Sequence, residues 1–151
     1  MKPNRFMLVL AALCFAAGGA SAQQTDGKSV APKTYKAYMV SDAHLDTQWN
    51  WDVQTTIREY IPRTLFQNLY LMERFPDYRF SFEGGVVYSW MKEYYPMHYE
   101  RMKKYIASGQ WHIAGASWDA NDPNMPSAES FFRNILLGQE FYKKEFGVRS
   151  T

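Results

Sequence analysis

The residues best suited to chemistry lie in the run Ala43-His44-Leu45-Asp46-Thr47-Gln48-Trp49. A short apolar stretch, Tyr38-Met39-Val40, leads into it. On a strand, successive side chains point to opposite faces, so residues two apart share a face. If strand geometry continues through this run, Asp42, His44 and Asp46 point the same way. One imidazole nitrogen with one or two carboxylate oxygens makes a site for Zn²⁺ or a similar divalent ion. A further carboxylate is offered by Asp122, in a stretch rich in Asp, Asn and Pro over residues 118–126. Taken singly these signals are weak. The usual His-x-Asp pair is simply hydrogen-bonded, and an Asp before a proline, as Asp122 is before Pro123, usually belongs to a turn.

The elements that must position these groups follow from periodicity. Residues 35–41 form a first expected strand, and residues 49–61 a loop or broken helix. Ile61, Leu65, Leu69 and Met72 then fall on one helical face. Pro62 suits the first turn of that helix, and Pro76 stops it. Residues 78–82 alternate as a second strand that ends at Glu83-Gly84-Gly85. A helical stretch over 86–108 is interrupted or restarted at Pro96, with Gly109 as its C-cap. Residues 111–117 form the third strand, and 118–126 a loop. Ser127 is placed to cap a last helix, with Glu129 complementing its dipole. Phe131, Ile135, Gly138, Tyr142 and Phe146 follow at helical spacing, and Gly147 closes it.

Strand, helix, strand, helix, strand, helix is the order of an α/β fold with parallel strands. Three strands do not close a barrel, and residues 148–151 follow a helix where another strand is expected. The expected architecture is therefore the front part of a larger domain. Parallel α/β sheets place their sites at the carboxyl ends of the strands. Those ends offer Asp42, His44 and Asp46, then Glu83, then the loop 118–122. A carboxylate at the same edge of all three strands says more than any one motif.

The 151 residues suit one domain, and 46% hydrophobic with 17% aromatic content suffices for a core. Five Trp and eleven Tyr are many for this length. Most serve as core and surface filler; some have the flat apolar face that stacks on sugar rings. Residues 1–22 form a secretory leader. Lys2 and Arg5 give the positive start, residues 6–17 are apolar but short for a membrane span, and Ala20-Ser21-Ala22 is the cleavage site. Residues 23–34, with Gly27 and Pro32, read as a linker, and the domain proper runs over 35–151. Export to the periplasm or the cell exterior is expected, with no stable membrane span after cleavage. Cys14, the single cysteine, leaves with the leader, so the mature chain has no disulfide. The 17 basic residues less Lys2 and Arg5 leave 15, against 15 acidic. That balance, without a basic patch, argues against nucleic acid as a partner. Nothing in the sequence sets an oligomeric state.

His44-Leu45-Asp46-Thr47-Gln48-Trp49 resembles the H-x-D-x-x-W signature of glycoside hydrolase family 38, the retaining α-mannosidases. Tyr88-Ser89-Trp90-Met91-Lys92 through Pro96 is similar to the family's Y-x-W-x-K-x-x-x-P segment. Gly109-Gln110-Trp111, then Gly115-Ala116-Ser117-Trp118 through Asp122, resembles G-x-W…G-G-x-W-x-x-x-D. Asn124-Met125-Pro126-Ser127-Ala128-Glu129-Ser130 resembles the N-x-P-S-G-E-S that follows. The likeness covers residues 38–147 in order.

Residue by residue, the resemblance implies that His44 and Asp46 ligate Zn²⁺. Asp122 would be both a metal ligand and the nucleophile, and Trp49 would line the sugar site. The fold it implies is the first three β-α units of a larger, incompletely represented parallel β/α barrel-like catalytic domain. The substrate it implies is a mannose-containing glycan. The acid/base carboxylate and a further zinc-binding His would lie beyond residue 151. The chain departs from the pattern in places. Asp42 stands where the family often has His, and is either a further oxygen near the metal or a solvated residue. Gly84-Gly85 replaces polar residues, and Ala116 and Ala128 each replace a Gly.

Two other classes remain open at this point. One is a metal-dependent sugar amidase or deacetylase that activates water. The other is a non-catalytic sugar- or metal-binding remnant. Of the remaining candidates, Glu83 is a weak one for substrate contact, His112 reads as structural and His98 as a surface residue. Arg58 and Arg133 suit either sugar hydroxyls or acidic partners.

Overall fold

The computed structural model describes residues 34–149. The expected leader, and the expected linker up to residue 33, lie outside the described residues. The chain divides after Ala37, and the body that begins at Tyr38 carries every described element. These are β1 (Ser41–Ala43), α1 (Val53–Thr55), a π-helical turn (Thr56–Tyr60), α2 (Ile61–Arg74), β2 (Phe80–Phe82), α3 (Gly85–Tyr94), α4 (Pro96–Ser108), β3 (Trp111–Ile113) and α5 (Ala128–Phe146).

The three strands are parallel in the order β1-β2-β3. Ser41 pairs with Phe80 and Ala43 with Phe82; Phe80 in turn pairs with Trp111, and Phe82 with Ile113. The α/β alternation with parallel strands is thus as expected, but each strand is shorter than expected: β2 begins at Phe80 and not at residue 78, and the other two are placed differently. The first lies at Ser41–Ala43 and not over 35–41. Tyr38, Met39 and Val40 are exposed and outside the ladder. A strand persists only where a neighbour accepts its hydrogen bonds, and pairing with β2 starts at the Ser41 N–H, which donates to Arg79 O at 3.1 Å. The third strand ends at Ile113, four residues early, because Gly115 takes a positive φ of 66° and turns the chain.

The region expected as loop or broken helix becomes helical at Val53. Asp52 caps it, its carboxylate accepting the Thr55 N–H at 2.7 Å. Ile57, Ile61, Leu65, Leu69 and Met72 form one buried stripe across the π-helical turn and α2. The sheet answers with Phe80, Phe82, Trp111 and Ile113, all buried on one face, as the alternation of a strand requires. On the other face Ser81 is half-buried and His112 exposed. α3 adds Val87, Tyr88 and Met91, α4 adds Tyr99 and Met102, and α5 adds Tyr142. The polar atoms inside are paired. Trp111 Nε1–H donates to Tyr88 Oη at 2.8 Å, and Tyr88 Oη–H donates to Phe82 O at 3.0 Å. Burial pushes the Tyr88 phenol well above its ordinary range, so it stays a neutral link.

Helix ends follow the expected signals. Ser127 accepts the Ser130 N–H at 3.2 Å, and Gly109 and Gly147 close α4 and α5. Gly138 matters for another reason. A Cβ there would fall 2.3 Å from Ala116 O and 2.6 Å from Trp118 N, so only glycine lets α5 lie against the loop that leaves β3. No helix among the described residues is long and apolar enough to cross a membrane.

Candidate active site

His44 is the first residue past β1, and Glu83 the first past β2. Ala43 and Phe82 are paired, so the register places the two next residues side by side. The His44 Nδ1–H donates to Glu83 Oε1 at 2.8 Å. On the other side of the ring, His44 Nε2 lies 3.2 Å from Asp46 Oδ1. A carboxylate oxygen therefore faces each ring nitrogen. That arrangement calls for a proton on both nitrogens, or for a cation in place of one proton. The Glu83 hydrogen bond raises the imidazole above its ordinary 6.5; partial desolvation opposes this, and Asp46 adds to the rise.

The donor set suits zinc. Tetrahedral Zn–N and Zn–O bonds of about 2.0–2.2 Å put neighbouring donor atoms roughly 3.3–3.5 Å apart. The 3.2 Å between His44 Nε2 and Asp46 Oδ1 lies close to that edge. A carboxylate on the remote ring nitrogen is also what holds a metal-binding histidine in one tautomer. The fit extends to these two donors. Among the described residues no group of three or more His, Cys, Asp or Glu side chains is gathered to hold a metal ion.

Asp122 lies apart from that cluster. It is exposed, and its Oδ1 accepts the Asn124 N–H at 2.8 Å, the Asx turn expected of an Asp at this place. It lines an open cleft of about 460 Å³ with Asp119, Asn121, Met125, Ser130 and Phe131. Trp49 is 69% exposed in the bend after Asp46. Asp42 is exposed on β1, and the ring of His44 is met by Glu83 instead.

His112, read as structural, is exposed. His98, read as a surface residue, is half-buried with its ring 4.3 Å from that of Phe66. Arg133 pairs with Glu129 one turn away, and Arg58 Nε–H donates to Gln54 O at 3.3 Å.

Two features escaped sequence reasoning. One is a clamp on the loop that carries Asp122. Asn134, in α5, accepts the Asp119 N–H on Oδ1 at 2.9 Å. Its Nδ2 donates to Asp119 O at 2.8 Å and to Asn121 Oδ1 at 2.7 Å. Its backbone carbonyl accepts the Trp118 N–H at 2.9 Å. The other is a bridge between the two loops. Thr47 Oγ1–H donates to Asp119 Oδ2 at 3.2 Å, and Thr47 O accepts the hydroxyl of buried Thr56 at 2.9 Å. Thr56 is fixed in turn by the Trp51 indole N–H at 2.7 Å. Asp119 and Asn134 lie 15 residues apart and share no motif, so only the residue types hinted at them.

The family model described as "Glycosyl hydrolases family 38 N-terminal domain" matches residues 34–151. The chain is 36% identical over 116 residues to alpha-mannosidase G of Dictyostelium discoideum, covering 77% of this chain and 11% of that protein. It is 32% identical over 133 residues to alpha-mannosidase 2C1 of Homo sapiens, covering 88% of this chain and 13% of that protein. Its fold is similar to the crystal structure of an alpha-mannosidase from Enterococcus faecalis V583, with a TM-score of 0.64 at 26% identity over 74% of this chain and 12% of that one. The chain thus spans 11% and 13% of the length of these two curated relatives.

Proposed function

The chain belongs to the glycosyl hydrolases family 38 N-terminal domain family, and from that premise we propose that the protein carrying it is an exported, zinc-dependent, retaining α-mannosidase acting on mannose-containing glycans. In this reading β1, β2 and β3 are the first three units of a larger parallel β/α barrel-like catalytic domain. The observation that carries the reading is the His44–Asp46 pair at the strand ends, with its 3.2 Å donor separation and Glu83 behind the ring.

His44 Nε2 and Asp46 Oδ1 would hold the zinc; Asp122, which lies apart from them in this structure, is assigned to the ion by the family resemblance alone. When bound, the ion supplies Lewis-acid contacts to sugar hydroxyls, which fix the ring. Retaining hydrolysis needs two carboxyl groups about 5–5.5 Å apart. Asp122 takes the nucleophile's part and attacks the anomeric carbon, forming a covalent glycosyl ester. The acid/base carboxyl is assigned to a segment after Thr151. It protonates the leaving oxygen and then takes a proton from the water that releases the sugar. Trp49, with its exposed ring, supplies a flat apolar face for the sugar. Export to the periplasm or beyond rests on the leader pattern of residues 1–22.

The test is Asp122→Ala in the intact protein, assayed on an aryl α-mannoside. We expect turnover to fall by at least about a thousandfold, because the covalent step has no other nucleophile. Circular dichroism should stay unchanged, as the side chain is exposed. Near-normal turnover would overturn the assignment.

A further inference from the structure

Glu83 lies between His44 and the chain leaving β3, and the function proposed above names it only as the carboxylate behind the ring. We propose that Glu83 is a positioning residue that sets the orientation of the His44 ring, and that Gly115 is the seat that allows it to do so. This rests on the reading that His44 and Asp46 hold zinc, and it adds a residue to that site.

The geometry carries the inference in three steps. The first is that packing does not fix the ring. The His44 side chain is 57% exposed and that of Glu83 44%, so neither is wedged between neighbours. Rotation about the last side-chain torsion of a histidine is broad and roughly two-fold. A specific bond must therefore choose which nitrogen faces Asp46. The 2.8 Å bond from His44 Nδ1–H to Glu83 Oε1 makes that choice and leaves Nε2 on the Asp46 side.

The second step is that the backbone brings Glu83 to this place. It follows Phe82, which is paired on one side with Ala43 and on the other with Ile113. The Ala114 N–H extends this pairing by donating to Phe82 O at 2.9 Å. Glu83 is thus flanked by His44 on one side and by the chain leaving β3 on the other.

The third step is the cradle. Gly115 has a φ of 66°, which side-chain-bearing residues rarely adopt. A Cβ at this position would lie 3.1 Å from Glu83 Oε2 and 3.3 Å from Glu83 Cβ. A side chain at Gly115 would require Glu83 to shift by a few tenths of an ångström, away from the position in which it meets His44. Three consecutive strand ends therefore act as one device: Gly115 leaves room for Glu83, and Glu83 orients His44.

The test measures zinc affinity by competition with a chromophoric chelator, on the intact metal-stripped protein held well below its thermal transition. Glu83→Ala and Gly115→Ala should each weaken zinc binding by about 10–100-fold, the usual loss when a partner behind a metal-binding histidine is removed. Glu83→Gln keeps an acceptor oxygen for Nδ1–H and should bind near the wild-type level. The double variant should bind no more weakly than Glu83→Ala, because both changes remove the same bond. A merely structural role would lower the thermal midpoint and leave the affinity unmoved. Wild-type affinity in Glu83→Ala overturns the proposal, and so does a loss in Glu83→Gln as large as in Glu83→Ala. A wild-type protein that takes up no zinc overturns both this proposal and the zinc reading beneath it. Wild-type binding that is lost in His44→Ala but kept in Glu83→Ala overturns the proposal alone.

Discussion

The inner face of the sheet and the loops at its carboxyl ends are held by different forces. On the inner face, Phe80, Phe82, Tyr88, Trp111 and Tyr142 are buried; Phe80 and Phe82 stack, and the other ring pairs meet edge to face, with Phe80 and Trp111 centroids 4.8 Å apart. Burial of apolar area stabilises that region, and each large ring contributes on the order of 2–3 kcal/mol by leaving water. At the strand ends His44, Glu83 and Asp122 are all at least partly in solvent, and hydrogen bonds between named partners fix them. Such exposed pairs contribute about 0–1 kcal/mol each to stability. Stability and chemistry are therefore separable here. A substitution inside should damage both, and one at the rim should damage chemistry alone.

Trp111→Ala gives the largest expected effect. It removes a side chain 1% exposed, and deletes the N–H that the Tyr88 hydroxyl accepts. A buried Trp or Phe truncation costs about 3–5 kcal/mol. Urea unfolding of the purified protein should show a loss in that range, with zinc affinity falling only as the folded fraction falls. An intact Trp111→Ala protein with a selective loss of zinc would break the separation, since the inner face would then be shaping the rim directly.

Asn134 stands at the boundary between the two regions and gives an intermediate effect. It is half-buried, rooted in α5, and its side chain spends three hydrogen bonds on Asp119 and Asn121. Asn134→Ala leaves those groups to water or to no partner, a cost of about 1–3 kcal/mol. The loop carrying Asp122 should loosen with it. Amide exchange at Asp119 should accelerate, and turnover should drop further than the stability loss accounts for. If exchange at Asp119 is unchanged, Thr47 and Gly138 hold the loop without Asn134, and the boundary lies elsewhere.

The same division explains what could be read from the sequence. Local rules placed α2 through the Ile61, Leu65, Leu69, Met72 stripe, α5 through Ser127 and Gly147, and the break at Pro96, because each depends on residues within a turn or two. The alternation of elements was enough for a parallel α/β sheet. Strand limits were not legible, because β1 exists only where β2 offers partners, a fact settled 39 residues away at Phe80. At the site, the His44–Asp46 meeting was readable from a spacing of two. The partner of the other ring nitrogen was not: Asp42 was the nearest carboxylate in sequence, and the register delivers Glu83. Asp119 and Asn134 were equally hidden, as their meeting needs α5 to fold back over the β3 loop.

The smallest expected effect concerns Glu145, a rim-type ion pair set at the edge of the interior. Its side chain is only 11% exposed, and it accepts from Lys92 Nζ at 2.7 Å and from Tyr99 Oη at 3.2 Å. Burial alone would raise its pKa. The Lys92 hydrogen bond and charge, with the Tyr99 hydroxyl, outweigh that and hold the carboxyl below its ordinary 4.5. A carboxylate depressed in the folded state stabilises above its unfolded pKa, and that stability is lost as pH falls through the folded value. In Lys92→Met the burial remains and the compensation goes, so the folded pKa rises. The acid limb of the stability curve should then begin at higher pH, with a loss of about 1 kcal/mol at neutral pH. Lys92→Arg should keep the wild-type limb. A Lys92→Met protein with an unmoved acid limb would mean that Tyr99 and the Lys144 charge sustain the carboxylate, and that this pair belongs with the solvent-exposed ones after all.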